Sequence, residues 1–165
     1  MTRSFITILS ICTLFLLSCG NKSNVSTLDK EGNLNWLTVE EADKLQGKDK
    51  LFLVDVYTDW CGWCKVMDKK TFTDQKVKDY LNEHFYVVKF NAEQKDPVTF
   101  KGTTYEWKPG GRKGVNGLAP VLLNGRLGYP SFAYLDKDLN PIKVLPGYKT
   151  PEQLMAELEA IVGGK

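Results

Sequence analysis

Residues that commonly bind metal ions are scarce in this chain, which has one histidine and four cysteines among its 165 residues. Cys61 and Cys64 stand close together, but only His84 and Cys19 could complete a zinc site, which needs about four ligands. Covalent haem attachment needs a histidine directly after the second cysteine of such a pair, and this chain has Lys65 there. We therefore expect no metal, no haem and no other cofactor.

An excess of one charge is also missing. Lysine and arginine number 22 against 20 aspartates and glutamates, which gives a formal net charge of +2. Removal of residues 1–18 would take away Arg3 and no acid, and would leave 21 basic and 20 acidic side chains. A nearly neutral domain lacks the basic surface of nucleic-acid-binding proteins, so we expect no nucleic-acid partner.

Long apolar runs are absent except near the N-terminus, where the stretch from Phe5 to Leu17 follows the single charge of Arg3. This run is too short for a comfortable membrane span and is typical of an export signal. The sequence Leu16-Leu17-Ser18-Cys19 resembles the bacterial lipoprotein signal, which implies cleavage before Cys19 and attachment of lipid to its sulfur. The alternative is an ordinary signal peptide cleaved nearby, with Cys19 left as a free thiol.

This signal predicts three segments and a location. Residues 1–18 are the signal peptide, and residues 19–35 are the lipidated cysteine and a flexible polar tether. Residues 36–165 form one folded domain, which is long enough to bury an adequate core. A lipid on Cys19 would anchor that domain on the periplasmic side of a bacterial membrane.

The chain contains one compact pair of thiols, in the sequence Trp60-Cys61-Gly62-Trp63-Cys64-Lys65. Two intervening residues at the start of a helix let the second thiol reach the sulfur of the first. A helix N-terminus stabilises a thiolate through its free N–H groups and its positive dipole end. We therefore expect Cys61 to be the nucleophile, Cys64 to be the resolving thiol, and the two to form a redox-active disulfide. An inert structural bridge is the alternative, but so short a loop gains little stability from closure.

The remaining pattern predicts an α/β domain. An apolar run with one acid inside it, residues 51–57, predicts a strand buried on both faces. The other expected elements are a helix from Thr38 to about Gln46, a helix with Cys64 that ends near Lys70, a helix over 75–84, strands over 85–91, 131–135 and 142–145, and a last helix from Pro151.

A long stretch separates the second strand from the third. Residues 98–107 predict a small hairpin around Lys101-Gly102, followed by a Pro-Gly-Gly-Arg loop. Residues 115–123 predict a crossover helix despite the internal Pro120. The stretch could border the active site and restrict which disulfides enter, or it could be a surface hairpin without function.

With its cysteine pair between a strand and a helix, this order of elements resembles the thioredoxin superfamily from about Trp36 to Val162. Asp55 falls where that family keeps a buried acid, and Lys89 falls where it keeps the lysine partner. Tyr129-Pro130 matches its cis-proline site, and Gly147 its late glycine. The resemblance implies a thioredoxin fold, a central mixed sheet flanked by helices, with an insertion over about residues 92–128 before the cis-proline loop.

The resemblance also implies roles for the acid and the lysine. A buried acid is costly unless it is neutral or paired, and a raised pKa would let Asp55 exchange protons with Cys64, through water. Lys89 would be the partner of Asp55. The alternatives are a surface acid at a strand end and an ordinary lysine that extends to solvent.

Substrate contacts are expected around the motif and the cis-proline loop. Trp60, Gly62 and Trp63 adjoin the cysteines, and exposed aromatic side chains there can form an apolar docking surface. A cis Tyr129-Pro130 bond would present backbone groups with which an extended substrate peptide could pair. Either aromatic side chain could instead fold back onto the domain.

These observations predict a lipid-anchored, monomeric thiol-disulfide oxidoreductase that acts on protein disulfides outside the cytoplasm, more as a reductase than as an oxidase or isomerase. A reductase in that location needs electrons, and we expect a membrane protein of the thiol:disulfide interchange type to supply them. The alternative from another class is a binding module or chaperone with the thioredoxin fold whose cysteines are oxidised and idle.

Overall fold

A four-stranded mixed sheet lies at the centre of the computed structural model, which describes residues 25–111 and 113–164. In chain order the elements are α1 (Val39–Asp43), β1 (Leu51–Tyr57), α2 (Gly62–Val66), α3 (Gln75–His84), β2 (Phe85–Asn91), β3 (Val98–Phe100), β4 (Thr103–Tyr105), β5 (Trp107–Lys108), β6 (Val115–Asn116), α4 (Leu118–Leu122), β7 (Ser131–Leu135), β8 (Pro141–Pro146) and α5 (Pro151–Gly163). A π-helical turn over Met67–Thr71 continues α2, close to the predicted helix end.

The strands of the central sheet lie in the order β2-β1-β7-β8. β1 and β2 are parallel, as the strand–helix–strand pattern predicts, and β7 is antiparallel to both β1 and β8. The parallel register aligns Asp55 of β1 with Lys89 of β2. The predicted mixed sheet and its strand positions are confirmed.

An apolar cluster covers each face of the sheet, and the side chains of β1 point alternately into one cluster and the other. Phe52, Val54 and Val56 join the cluster that includes side chains from α1 and α4. Leu51 and Leu53 join the cluster on the other face, which includes side chains from α3 and α5. Asp55 alternates along β1 with the same phase as Leu51 and Leu53, so its side chain points toward the face on which the π-helical turn, α3 and α5 pack. In the described part of the chain, no helix is both long and apolar enough to cross a membrane.

The insertion between β2 and β7 contains two small antiparallel pairs. β3 and β4 form the predicted hairpin, and its turn residues Lys101 and Gly102 both have positive φ, as this tight turn requires. β5 pairs with β6 in a second ribbon that the sequence did not predict.

The prediction of a helix over residues 115–123 is wrong at its start. Val115 and Asn116 form β6, and the helix begins only at Leu118. Pro120 is then the third helical residue, where no intrahelical N–H bond is lost, because the first-turn N–H groups have no partner within the helix. The proline therefore fixes where α4 can start.

The prediction of a flexible tether over residues 19–35 does not hold for residues 25–35. The Thr27 side chain is buried, and its hydroxyl donates a hydrogen bond of 2.6 Å to the Phe85 carbonyl. Leu34 belongs to the core cluster on the α3 and α5 face. The polar residues between them form a turn in which Asp29 accepts backbone N–H bonds, so their composition reflects a turn.

Candidate active site

The two motif cysteines are joined where β1 passes into α2. Cys61 is the N-cap of α2, and Cys64 lies in its first turn. Their sulfur atoms are 2.08 Å apart and their Cα atoms 5.3 Å apart, so the structure represents the oxidised form. The Cys64 N–H donates to the Cys61 sulfur across 3.1 Å. In the reduced form the same N–H group and the helix dipole would face the Cys61 thiolate.

Two tryptophans surround this disulfide with exposed aromatic surface. Cys61 and Cys64 are buried, whereas the side chains of Trp60 and Trp63 are 56% and 61% exposed. The Trp63 ring stacks at a tilt on Tyr148, with 5.1 Å between the ring centroids. An exposed aromatic rim around a buried disulfide provides apolar contact area for an incoming partner.

Trp60 is held in place from two sides. Its indole N–H donates to a Glu93 carboxylate oxygen across 2.8 Å. The ring packs edge-on against Tyr129, at 6.1 Å between centroids. Glu93 follows β2 at the start of the insertion, and the sequence analysis did not single it out. Only its position, two residues beyond a buried strand, could have indicated that Glu93 lies near the site.

The loop before β7 lies against Gly147, the residue that follows β8. The Tyr129–Pro130 peptide bond is cis. The Pro130 carbonyl accepts a hydrogen bond of 2.8 Å from the Gly147 N–H, and Gly147 has φ +91°, which favours glycine. Gly62, the first residue of α2, is exposed, and a Cβ there would meet no atom within 4 Å. The space beside Cys61 at this position is therefore open.

Asp55 is buried inside β1 with one ion-pair partner. Its side chain is 1% exposed, and Oδ2 lies 2.8 Å from Lys89 Nζ. Its other oxygen, Oδ1, has no hydrogen-bond partner within the described residues. Burial raises the pKa of Asp55 from its ordinary 3.8 to about 6, although the charge of Lys89 opposes that rise. This carboxyl group can therefore take up or release a proton near neutral pH.

Lys89 also contacts a second acid, Asp68, which lies on the π-helical turn after α2. Burial lowers the pKa of Lys89, but the two carboxylates outweigh it, so that the pKa is raised overall. The ammonium also lies 4.6 Å from the centre of the Trp36 ring. Sequence reasoning missed Asp68, although its position four residues after Cys64 in a helix placed it on the same side.

Three other residues named in the sequence analysis are His84, Lys65 and Cys19, and the last of these lies outside the described residues. His84 ends α3, where its ring stacks on Tyr80 at 4.4 Å. Lys65 is exposed in the last turn of α2. Cys19 and the predicted signal peptide lie outside the described residues. Within residues 25–111 and 113–164 no three metal-ligating side chains gather into a possible site.

Comparisons with known proteins identify the family and the fold of this chain. A family profile described as a thioredoxin-like domain matches residues 39–161. A solved thioredoxin from Thermus thermophilus superposes with a TM-score of 0.58 at 20% identity, over 79% of this chain and 88% of that one. A putative disulphide-isomerase from Bacteroides thetaiotaomicron superposes with a TM-score of 0.57 at 23% identity, over 81% of this chain and 96% of that one. The predicted thioredoxin fold is thereby confirmed.

The matching curated proteins are much longer than the stretch they share with this chain. The thiol:disulfide interchange protein DsbD of Salmonella typhi is 36% identical over 56 residues, which are 31% of this chain and 10% of that protein. An uncharacterized protein of Caenorhabditis elegans is 23% identical over 140 residues, which are 83% of this chain and 17% of that protein. The chain thus spans less than a fifth of either relative.

Proposed function

This chain belongs to the thioredoxin-like domain family, and we propose that it acts as a thiol-disulfide oxidoreductase that reduces protein disulfides outside the cytoplasm. The observation that carries the proposal is the Cys61–Cys64 disulfide at the start of α2, with exposed tryptophans on its rim and a buried acid in the preceding strand. An inert bridge would need neither the exposed aromatic rim nor an acid with a pKa near neutral.

The reductive cycle begins with both cysteines reduced. The Cys61 thiolate attacks one sulfur of a substrate disulfide, which breaks that S–S bond, forms a mixed disulfide and releases the other substrate sulfur as a thiolate. Cys64 then loses its proton and attacks the Cys61 sulfur, which expels the second substrate thiolate. Two electrons have passed to the substrate, whose thiolates take up protons, and the protein is left with the Cys61–Cys64 disulfide.

Asp55 acts as the proton acceptor for the second step. Cys64 becomes a nucleophile only when its thiol is deprotonated, and Asp55 Oδ1 has no other hydrogen-bond partner within the described residues. With a pKa of about 6, the carboxyl group is mostly ionised at neutral pH and can accept this proton through water. Lys89 holds the carboxylate in position through Oδ2.

The direction of electron flow is tested by the reduction potential of the soluble domain, measured by equilibration with graded thiol buffers. A value of about −270 mV supports a reductase, whereas a value of about −120 mV would make the protein an oxidant. A reductase must be regenerated, and we propose a membrane dithiol protein of the interchange type as its electron donor. The similarity to part of DsbD, a thiol:disulfide interchange protein, supports thiol-disulfide exchange with a protein partner.

A lipid anchor on Cys19 would place the domain on the periplasmic side of a bacterial membrane. The sequence Leu16-Leu17-Ser18-Cys19 supports this proposal. Membrane fractionation of the full chain and of Cys19→Ser, with labelling by a fatty-acid analogue, tests it. The anchor proposal requires label and membrane association in the natural chain and neither in the variant. Equal membrane association of the two chains would contradict it.

A further inference from the structure

An apolar groove beside the disulfide is built largely by the insertion between β2 and β7. It measures about 670 Å³, within the range of pockets that bury a small ligand or several side chains. Trp60, which directly precedes Cys61 in the chain, lines the groove together with Tyr129, and Val115 and Leu127 contribute further apolar surface. Leu127 is 48% exposed, so its side chain is accessible to a molecule that enters the groove.

The wall of this groove has a fixed shape. Gly114 has φ +73°, and a Cβ there would lie 2.2 Å from the Trp107 ring and 2.7 Å from the Lys108 carbonyl. Only glycine therefore allows β6 to pack this closely on β5. The turn between them is closed by a bond of 2.6 Å from the Gly114 N–H to the Gly110 carbonyl.

Asn116 fastens this ribbon to the rest of the domain. Its side chain is fully buried and donates to the Asp96 and Tyr105 carbonyls, each across 3.3 Å. Its side-chain oxygen accepts from the Leu118 N–H, and its backbone N–H donates to the Ala92 carbonyl. A buried polar group with four hydrogen bonds fixes its surroundings, so the groove is preformed.

The charges of the groove are arranged asymmetrically. Glu93 lies at the disulfide end, where it accepts the Trp60 N–H. Lys113, the other charged residue among the described residues of the lining, is exposed and makes no ion pair within the described part of the chain. Within the described residues, the groove therefore offers apolar surface together with the unpaired cation of Lys113.

We propose that this groove binds the substrate segment next to the reacting cysteine, and that it selects extended segments with apolar side chains followed by an acidic residue. The proposal rests on the proposed function, because it assumes that Cys61 reacts with protein disulfides. The groove is suitably placed, since its lining includes Trp60 and Tyr129, which adjoin Cys61 and Pro130 in the chain. The apolar side chains contact Leu127 and Val115, and the acid pairs with Lys113. The insertion thereby determines which protein disulfides react.

Three short peptides test this selectivity. Each carries one cysteine in a mixed disulfide with glutathione, flanked by Leu, Phe and Glu in the first peptide, by Leu, Phe and Lys in the second, and by Gly and Ser in the third. The second-order rate of reduction by the dithiol protein is measured for each. We expect the first peptide to react about tenfold faster than the third, and a few-fold faster than the second.

Variants of the groove have matched controls on β8. Leu127→Ser should lower the ratio of the first to the third peptide to about threefold or less, whereas Ile142→Ser, at a similarly exposed apolar position, should leave it unchanged. Lys113→Glu should reverse the preference between the first two peptides, and Lys143→Glu should not. A change in the reactivity of the thiols would alter the rates for all three peptides by the same factor, so it would leave the ratios between peptides unchanged.

Two further readouts separate this proposal from the proposed function. Failure of the dithiol protein to reduce any peptide, or a small aromatic disulfide, would overturn the proposed function. Cysteine-free forms of the peptides, titrated into the oxidised protein and followed by NMR, report on the groove alone. Equal rates for all three peptides together with no shifts at Leu127 and Val115 would overturn the groove proposal. Sedimentation that shows a dimer dissociated by Leu127→Ser would overturn it too, because the groove would then hold a second copy.

Discussion

Replacement of the buried acid, Asp55→Asn, should remove a loss of stability that occurs as the pH rises. The carboxyl group of Asp55 is enclosed in β1 and its pKa is raised to about 6 by burial. Asparagine has nearly the same shape but never ionises. In the oxidised protein neither cysteine titrates, because their sulfur atoms are bonded, so the thiols do not obscure the effect of the acid.

The magnitude follows from the difference between the folded and unfolded pKa values. Asp55 changes from an ordinary pKa of 3.8 to about 6, so the folded state holds this proton more tightly than the unfolded chain does. Well below pH 3.8 the carboxyl group is protonated in both the folded and the unfolded state, so its burial causes no pH-dependent loss of stability. As the pH rises to about 6, the unfolded chain loses its proton first, and stability falls by about 3 kcal/mol in total. Above that pH the penalty is constant.

Urea unfolding of the oxidised protein and of Asp55→Asn, at a series of pH values between about 3.5 and 8, measures this difference. Across that range, the free energy of unfolding of the variant should rise by about 3 kcal/mol relative to that of the natural protein. A constant difference from the altered contact with Lys89 adds to this change. The control is Asp79→Asn, the same chemical change at an exposed position of α3. A difference between Asp55→Asn and the natural protein that stays flat with pH, or that falls as pH rises, would refute the reasoning.

Three further variants test the effect of Asp68 on Asp55, the roles of the two thiols and the packing of the insertion. Asp68→Asn should lower the pKa of Asp55 by removing a negative charge near it, so the pH midpoint of the stability loss should move downward in the same unfolding experiment. Cys64→Ser should accumulate mixed disulfides that appear as mass shifts on non-reducing gels, whereas Cys61→Ser should accumulate none. Asn116→Ala should leave its buried partners without hydrogen bonds and cost about 2–4 kcal/mol in urea unfolding, and an unchanged midpoint would contradict its role in fixing the insertion.

The central fold was predictable because its signals are local and agree with one another. Thr38 and Thr150 each begin a helix with a capping box, as their sequences indicate. The apolar run of β1 is long enough to identify a buried strand despite Asp55 inside it. The disulfide also needs only local spacing, since Cys61 and Cys64 are three residues apart.

The errors lie where a segment depends on distant partners. β5 and β6 have two residues each, so nothing in their own sequence distinguishes a strand from the first turn of a helix. Residues 25–35 are mostly polar, and their docking depends on a hydrogen bond from Thr27 to a strand 58 residues later. The groove at Trp60 has the same origin, because its lining comes from four separate stretches of the chain.

The proton-accepting ability of Asp55 likewise depends on more than its own burial and partner. A lysine that served Asp55 alone would favour the ionised carboxylate and hold its pKa lower. Lys89 instead contacts both Asp55 and Asp68, and the negative charge of Asp68 raises the Asp55 pKa further. The residue at position 68 therefore influences the pH at which Asp55 can take a proton from Cys64. Since Asp68 lies on the π-helical turn after α2 and Lys89 lies on β2, only the packing of that turn against the sheet brings this control into the site.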